Sequence, residues 1–312
     1  MVRGMRRVSL FALFLAVVGL VAVACVPPDP PPDCSPTGTV AHHDLRYATS
    51  PGVAARLQSL DLYLPVRPEG CAPAPLVAYV HGGGFVNGDK TNQIANKVAL
   101  FTGAGWGFAS LNYRLVGDPG SGSTNGEYPA AEQDIAAAIT YLSDHATDHG
   151  LDADQVMLLG HSAGAFLVAL DSTDESFLEG TGSSLADVVC AAPIDTTYDI
   201  AAQIAGGGTS ELMFRNAFGD DPDTWAAGSP PDHVAPGEGI PQFHIVTRGT
   251  ASRIAQAQSF GSMLVAAGVP AEVQVAGGLS HAAVNDAIGQ PGETFVTDPL
   301  MGFFRGCAGE GS

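Results

Sequence analysis

The stretch Val156-Met157-Leu158-Leu159-Gly160-His161-Ser162-Ala163-Gly164-Ala165-Phe166-Leu167-Val168-Ala169-Leu170 decides the fold. Its first four residues form a short apolar run ended by a glycine, which reads as a buried strand. Residues 163–170 are compatible with a helix, so the chain passes from strand to helix across Gly160-His161-Ser162-Ala163-Gly164. That pentapeptide fits G-x-S-x-G in the strand–turn–helix setting in which a nucleophile elbow works. The turn is tight enough that side chains two residues either side of the serine collide, so glycine is required at Gly160 and Gly164. Ser162 is thereby lifted clear of the sheet, with its hydroxyl at the positive end of a helix. Taken alone, the pentapeptide also fits a plain strand-to-helix turn with an incidental serine.

Working outward, a second apolar run at residues 76–80 is followed by His81-Gly82-Gly83-Gly84-Phe85. Three consecutive glycines let backbone N–H groups point into one small volume, as an oxyanion hole demands. A phosphate cradle is excluded, because no Gly-Lys-Ser/Thr follows and no G-x-G-x-x-G opens a helix here. Further apolar runs at 106–111, 188–192, 243–246 and 271–275 read as buried strands. Between them Ile135, Ile139 and Leu142 repeat at helical spacing, as do Ile254, Ala257, Gly261 and Leu264. Strand and helix in alternation predict an α/β fold, with a mostly parallel sheet covered by helices on both faces. Residues 200–239, rich in Gly, Pro and Asp, break the alternation and are either a long loop or a small cap over the site.

With these motifs in place, the chain resembles the α/β-hydrolases of the hormone-sensitive-lipase and BD-FAE/arylformamidase-like esterase group, over roughly residues 53–305. Leu60-Asp61-Leu62-Tyr63-Leu64-Pro65 resembles the group's early strand, and His81–Phe85 its HGGGF oxyanion signature. Asn112-Tyr113-Arg114-Leu115, with Tyr128-Pro129-Ala130-Ala131 and Asp134, resembles its "YRL … P-A-A … D" segment, in which Arg114 and Asp134 are structural. The resemblance implies Ser162 as nucleophile and the N–H groups of Gly83, Gly84 and Ala163 as oxyanion donors. A serine needs a neighbouring base. His281 follows the last predicted strand, and Ser280, His281, Asp286 and Gly289 echo the group's "S-H … D-x-x-G".

The third member of the expected triad departs from the pattern. The resemblance places an acid in the loop after the strand at 243–246, where this chain has Arg248-Gly249-Thr250-Ala251-Ser252-Arg253 and no carboxylate. Some lipases carry the acid after the preceding core strand instead. Asp195, in Ala192-Pro193-Ile194-Asp195, occupies that place and is the candidate, ahead of Asp199; a helix or turn cap is the other reading of Asp195. The implied activity is acyl transfer on a small-molecule carboxylic ester with no metal or organic cofactor. An arylformamidase-like amide hydrolase is the alternative within the enzyme class. A non-catalytic hydrolase-fold binding protein is the alternative outside it, supported by the vacant acid position.

Composition bounds the rest. At 312 residues, with 46% hydrophobic and 14% charged residues, the chain suits one well-buried domain and not a disordered segment. The net charge is −19, and residues 1–24 hold three arginines and no acid, so the remainder carries 10 − 32 = −22. Such acidity argues against nucleic acid and anionic membrane surfaces as partners. Arg3, Arg6 and Arg7, an apolar run and Ala22-Val23-Ala24 read residues 1–24 as an export signal. Cys25 is then either a lipidated terminus, the chain's one route to membrane anchoring, or part of a secreted chain. Residues 25–38 read as a proline-rich tether, 39–308 as the folded domain and 309–312 as a tail. Cys34, Cys71, Cys190 and Cys307 form an even set suited to an oxidising compartment, and we expect Cys34–Cys71 and Cys190–Cys307, although four cysteines allow three connectivities. His145 and His149 lack the glutamate of a zinc-protease helix, and Asp144, Asp148, Asp152 and Asp154 lack calcium-loop spacing, so both groups read as surface.

Overall fold

The computed structural model describes Met1 and residues 32–310. The predicted export signal after Met1, Cys25 and the proline-rich run as far as Pro31 lie outside the described residues. Eight strands form one sheet: β1 (Thr39–Arg46), β2 (Ser59–Pro65), β3 (Ala74–Val80) and β4 (Gly107–Leu111), then β5 (Leu151–His161), β6 (Val188–Ile194), β7 (Gln242–Thr247) and β8 (Ala271–Val275). Their order is β1-β2-β4-β3-β5-β6-β7-β8. The two at the amino-terminal edge pair antiparallel and the rest run parallel.

Uninterrupted apolar runs make the central strands because both sheet faces are covered. On β3, Leu76, Ala78 and Val80 enter one core while Val77 and Tyr79 enter the other. On β5, Val156 and Leu158 alternate with Met157 and Leu159 in the same way. The first face is packed by helices Ala130–Asp144, Ala163–Asp171 and Ala251–Ala266, and Ile135, Ile139 and Leu142 are buried there. The second face is packed by Ala95–Gly103, His281–Ala287 and Thr297–Cys307, through Phe101, Val284, Leu300 and Phe304.

The structure adds two features to the sequence reading. The strand β1, Thr-Val-Ala-His-His-Asp-Leu-Arg, was not visible as one, because it is an edge strand whose residues are mostly exposed and show no apolar alternation. Residues 200–239, left open in the sequence between a long loop and a small cap, are not a long loop. They hold three helices, Ile200–Gly206, Gly208–Phe218 and Pro222–Ala227, and Phe214 and Phe218 anchor the second of these onto Phe85 and Phe166 of the main body.

The cysteines pair as Cys34–Cys71 and Cys190–Cys307, with Cα atoms 5.8 and 6.3 Å apart. The second bond ties the last helix to β6. Arg114 and Asp134 form a buried two-point ion pair, Nε to Oδ2 and Nη2 to Oδ1 at 2.8 Å each, which holds the segment after β4 to the helix Ala130–Asp144. Burial still raises the Asp134 carboxyl above its ordinary value, against the lowering effect of Arg114 and Gln58.

Candidate active site

The carboxyl ends of β5 and β6 are level, with His161 opposite Ile194, and Ile194 lies opposite Val246, one residue before β7 ends at Thr247. The residues after His161 and Ile194 therefore leave the sheet at its carboxyl edge, where open α/β sheets bind ligands. Ser162 is the first residue past β5 and Asp195 the first past β6. The Ser162 N–H donates to the Ile194 carbonyl at 3.0 Å, and the Asp195 N–H to that of Val246 at 2.7 Å, so the two exits are tied to their neighbouring strands. Both residues have positive φ, 57° and 55°, a costly backbone for a side-chain-bearing residue. The elbow glycines are forced by space. A Cβ on Gly160 would stand 2.4 Å from the Gly164 carbonyl oxygen. One on Gly164 would stand 2.2 Å from the Val80 carbonyl oxygen, so this second glycine answers to the neighbouring strand and not to the turn itself.

His281 begins the short helix after β8, and the Ser280 hydroxyl caps that helix by accepting from the Ala283 N–H at 3.1 Å. Its Nε2 lies 2.8 Å from Ser162 Oγ, and its Nδ1 lies 2.6 Å from Asp195 Oδ2. Asp195 is fully buried. Two cations reach it: Arg248 Nε donates to Oδ2 at 2.5 Å, and Arg253 Nε to Oδ1 at 2.9 Å. A further Arg253 bond, from Nη2 to the Asp195 carbonyl at 2.8 Å, fixes its backbone. Burial alone would raise the Asp195 carboxyl, but His281, Arg253 and Arg248 together outweigh it and hold the group below the ordinary aspartate value. Asp199, the second candidate, instead caps the helix Ile200–Gly206 by accepting from the Ala202 N–H at 2.8 Å. Asp286 is exposed, and its neighbour Asn285 is the buried one, bonded to Tyr79 and Gln93.

Opposite the serine, Gly83 and Gly84 have φ of +136° and +61°, and a Cβ on Gly83 would overlap the Asn87 carbonyl. The Gly83 carbonyl accepts from the Val86 and Asn87 N–H groups at 3.2 Å each, which curls the glycine loop over the strand end. Ala163 opens the helix Ala163–Asp171, so its N–H has no acceptor within that helix. Beneath the loop His81 is buried, stacked on Tyr113, and its Nδ1–H donates to the Gly82 carbonyl at 2.8 Å. Burial pushes its imidazole below the usual histidine value, so it is a neutral support.

Two clefts meet at Ser162 and His281. One, of about 500 Å³, is lined by the glycine loop with Asn87, Asn92 and Gln93. The other, of about 370 Å³, is lined by the apolar Phe85, Ala163, Met213 and Phe214 together with the polar Thr197, Ser210, Arg248 and Arg253. The stretch 200–239 thus contributes a wall of the second cleft.

Three residues of the site escaped the sequence reading. Arg248 and Arg253 were visible only as the absence of an acid. His161 was visible as the variable position of the pentapeptide. Burial and the nearby His281 push its imidazole down to about 4, so it is neutral near pH 7 and its Nε2–H donates to the His281 carbonyl at 2.9 Å. Its ring packs on that of His281 at 4.6 Å between centroids, steadying the loop that carries it. His145 pairs with Asp148 and His149 packs on His42, and among the described residues no cluster of His, Cys, Asp or Glu is placed to hold a metal ion.

Sheet topology, elbow and glycine loop define an α/β-hydrolase. The chain belongs to the BD-FAE family, whose model matches residues 60–217, just over half of the sequence. That match takes in the glycine loop, Ser162 and Asp195 and stops short of Arg248, Arg253 and His281. Esterase LipI of Mycobacterium tuberculosis is 29% identical over 238 residues, 73% of this chain and 71% of LipI. Esterase LipQ of the same organism is 29% identical over 169 residues, 52% of this chain and 38% of LipQ. Among solved structures, esterase B from Lactobacillus rhamnosis superposes with a TM-score of 0.69 at 21% identity, covering 88% of each chain. A truncated carbohydrate esterase from gut microbiota gives 0.70 at 19% identity, over 89% of this chain and 99% of that one. By fold and family this chain is a hydrolase.

Proposed function

We propose that this protein is an exported serine carboxylic ester hydrolase that acts through an acyl-enzyme on short-chain esters. One observation carries the reading: the unbroken chain of contacts from Ser162 Oγ to His281 Nε2 at 2.8 Å and from His281 Nδ1 to Asp195 Oδ2 at 2.6 Å. In the tautomer with its proton on Nδ1, facing the carboxylate, His281 presents a bare Nε2 to the serine. Ser162 Oγ attacks the ester carbonyl as His281 takes its proton. The N–H groups of Gly83, Gly84 and Ala163 receive the charge that develops on the carbonyl oxygen. His281 then protonates the departing alcohol, and in the second half it deprotonates the water that releases the acid.

Ester cleavage is supported by LipI and LipQ, which carry that activity in their names. Short acyl groups suit a cleft of about 370 Å³ walled by Phe85, Met213 and Phe214. Export is supported by the basic, apolar and small-residue pattern of residues 1–24 and by two disulfides in the folded body. The reading as a non-catalytic module loses its one support, because a buried carboxylate does face His281.

Hydrolysis of p-nitrophenyl acetate and butyrate by the wild-type protein, beside Ser162→Ala, tests the proposal. Turnover that vanishes in the variant is the expected result. Absence of both turnover and labelling by a fluorophosphonate probe in the wild type would overturn it. Mass measurement of the mature amino terminus checks export and distinguishes a lipidated Cys25 from a free one.

A further inference from the structure

The Asp195 cluster carries more positive charge than an orienting acid requires. One guanidinium neutralises one carboxylate, yet Arg248 and Arg253 both reach Asp195, leaving −1 + 2 = +1. Among the described residues no other carboxylate lines the cleft that holds Ser162 and these arginines. A neighbouring cleft of about 480 Å³ shares Thr197, Ser210, Arg248 and Arg253 with it, and no carboxylate among the described residues lines it. The surplus cation sits in a chain whose net charge is −19, so it is a local exception to the charge of the whole.

The donors are also in surplus. A guanidinium has five N–H groups. Arg248 spends only Nε on Asp195, and Arg253 spends Nε and Nη2. Among the described residues neither terminal nitrogen of Arg248, nor Nη1 of Arg253, makes a hydrogen bond. The two side chains are 23% and 27% exposed, so these donors border the clefts and are not sealed in the core. Arg253 lies in the first turn of the 16-residue helix Ala251–Ala266, whose positive end adds to the same field.

We propose that the preferred substrate is an ester that also bears a carboxylate, and that this anion docks on Arg248 and Arg253 while its ester carbonyl lies at Ser162. The inference rests on the serine-esterase reading above and deepens it. The carboxylate belongs either to the acyl part, as in a half-ester of a dicarboxylic acid, or to the alcohol part, as in an acylated hydroxy acid. In both cases the guanidiniums bind a group that takes no part in bond making. They set specificity and, through Asp195, position His281.

The test compares kcat/KM within two matched pairs, followed by proton release. Monomethyl glutarate against methyl pentanoate places the carboxylate on the acyl side. 3-Acetoxypropanoate against propyl acetate places it on the alcohol side. The wild type should prefer the anionic member of one pair by roughly tenfold to a hundredfold, the range of a charge-assisted hydrogen bond. That preference should shrink with added salt, because the arginines are partly exposed. Arg248→Gln should bring the ratio towards one even where both rates drop together, since damage to the Asp195 contact affects both members alike. Which pair responds identifies the side that carries the anion. Turnover of the neutral esters with ratios at or below one in both pairs would sink the inference and leave the serine esterase intact. Loss of turnover on all four esters, with no fluorophosphonate labelling, would remove the parent reading and this one with it.

Discussion

Replacing Asp195 with asparagine removes the negative charge while keeping the shape, and the surroundings fix the consequence. The Oδ2 atom accepts from His281 and Arg248, and Oδ1 from Arg253. An asparagine has one acceptor and one donor to place there. With its oxygen at the Oδ2 position it keeps two of the three bonds and turns its NH₂ on Arg253. The opposite orientation loses two bonds, one of them charged, and forces the unproductive His281 tautomer. The first orientation should win, so the tautomer survives and the loss is mainly electrostatic. The imidazolium formed during catalysis then faces two guanidiniums with no carboxylate between. A unit charge at about 4 Å and an effective dielectric of about 20 is worth ~4 kcal/mol. At ~1.4 kcal/mol per decade that is about a thousandfold in kcat. The expected loss is smaller than the ~10⁴ of a protease triad in which the wrong tautomer forms. The assay is steady-state turnover of p-nitrophenyl butyrate, run beside fluorophosphonate labelling and well below the melting temperature of the variant. Asp199→Asn serves as a control, because that residue only caps a helix. A folded Asp195→Asn protein that keeps more than a tenth of wild-type kcat would refute the assignment of Asp195 as the orienting acid.

Three further outcomes can be checked. Burial raises the Glu132 carboxyl to about 7 from 4.5, and its Oε2 has no hydrogen-bond partner among the described residues. Between those values the folded chain holds a proton that the unfolded chain has lost, so Glu132 makes stability fall as pH rises through that window. Denaturant titrations of Glu132→Gln at pH 5 and pH 8 should show the variant gaining on wild type at the higher pH, by at most roughly 3 kcal/mol; an equal difference at both pH values would contradict the raised value. Removing the Cys190–Cys307 bond by a Cys190→Ser, Cys307→Ser double change opens a loop closed across 117 residues. Chain entropy puts that loss at about 4–5 kcal/mol, read as a lowered urea midpoint, and an unchanged midpoint would show the bond is not formed. Gly164→Ala should yield little soluble protein, since its Cβ would stand 2.2 Å from backbone at Val80, whereas the open position Gly302 should accept alanine. Comparable yield of the two variants would count against the crowding at the elbow.

Much of this protein was legible in its sequence because the central information is local. Uninterrupted apolar runs mark β3, β5 and β6, since a strand covered on both faces has no polar side to show. The elbow and glycine loop are short segments whose backbone demands glycine at fixed positions, so their chemistry is written contiguously. Strand β1 was not legible, because an exposed edge strand is held by backbone pairing and leaves no hydrophobic pattern. The helices within residues 200–239 were hidden by glycines that close them, and they are anchored by Phe214 and Phe218 packing on distant aromatics.

What only the tertiary structure decided is the company that Asp195 keeps. It stands 86 residues from His281, 53 from Arg248 and 58 from Arg253 in the chain. The sequence showed an acid missing after β7 and two arginines in its place, with no means of saying what they face. Pairing of Ile194 with Val246, one residue before β7 ends, brings the exits of β6 and β7 together, and only then do a buried carboxylate, two cations and an imidazole become one cluster. Local sequence determines how a strand ends, while the sheet determines which ends are neighbours, because pairing register is a property of strands far apart in the chain.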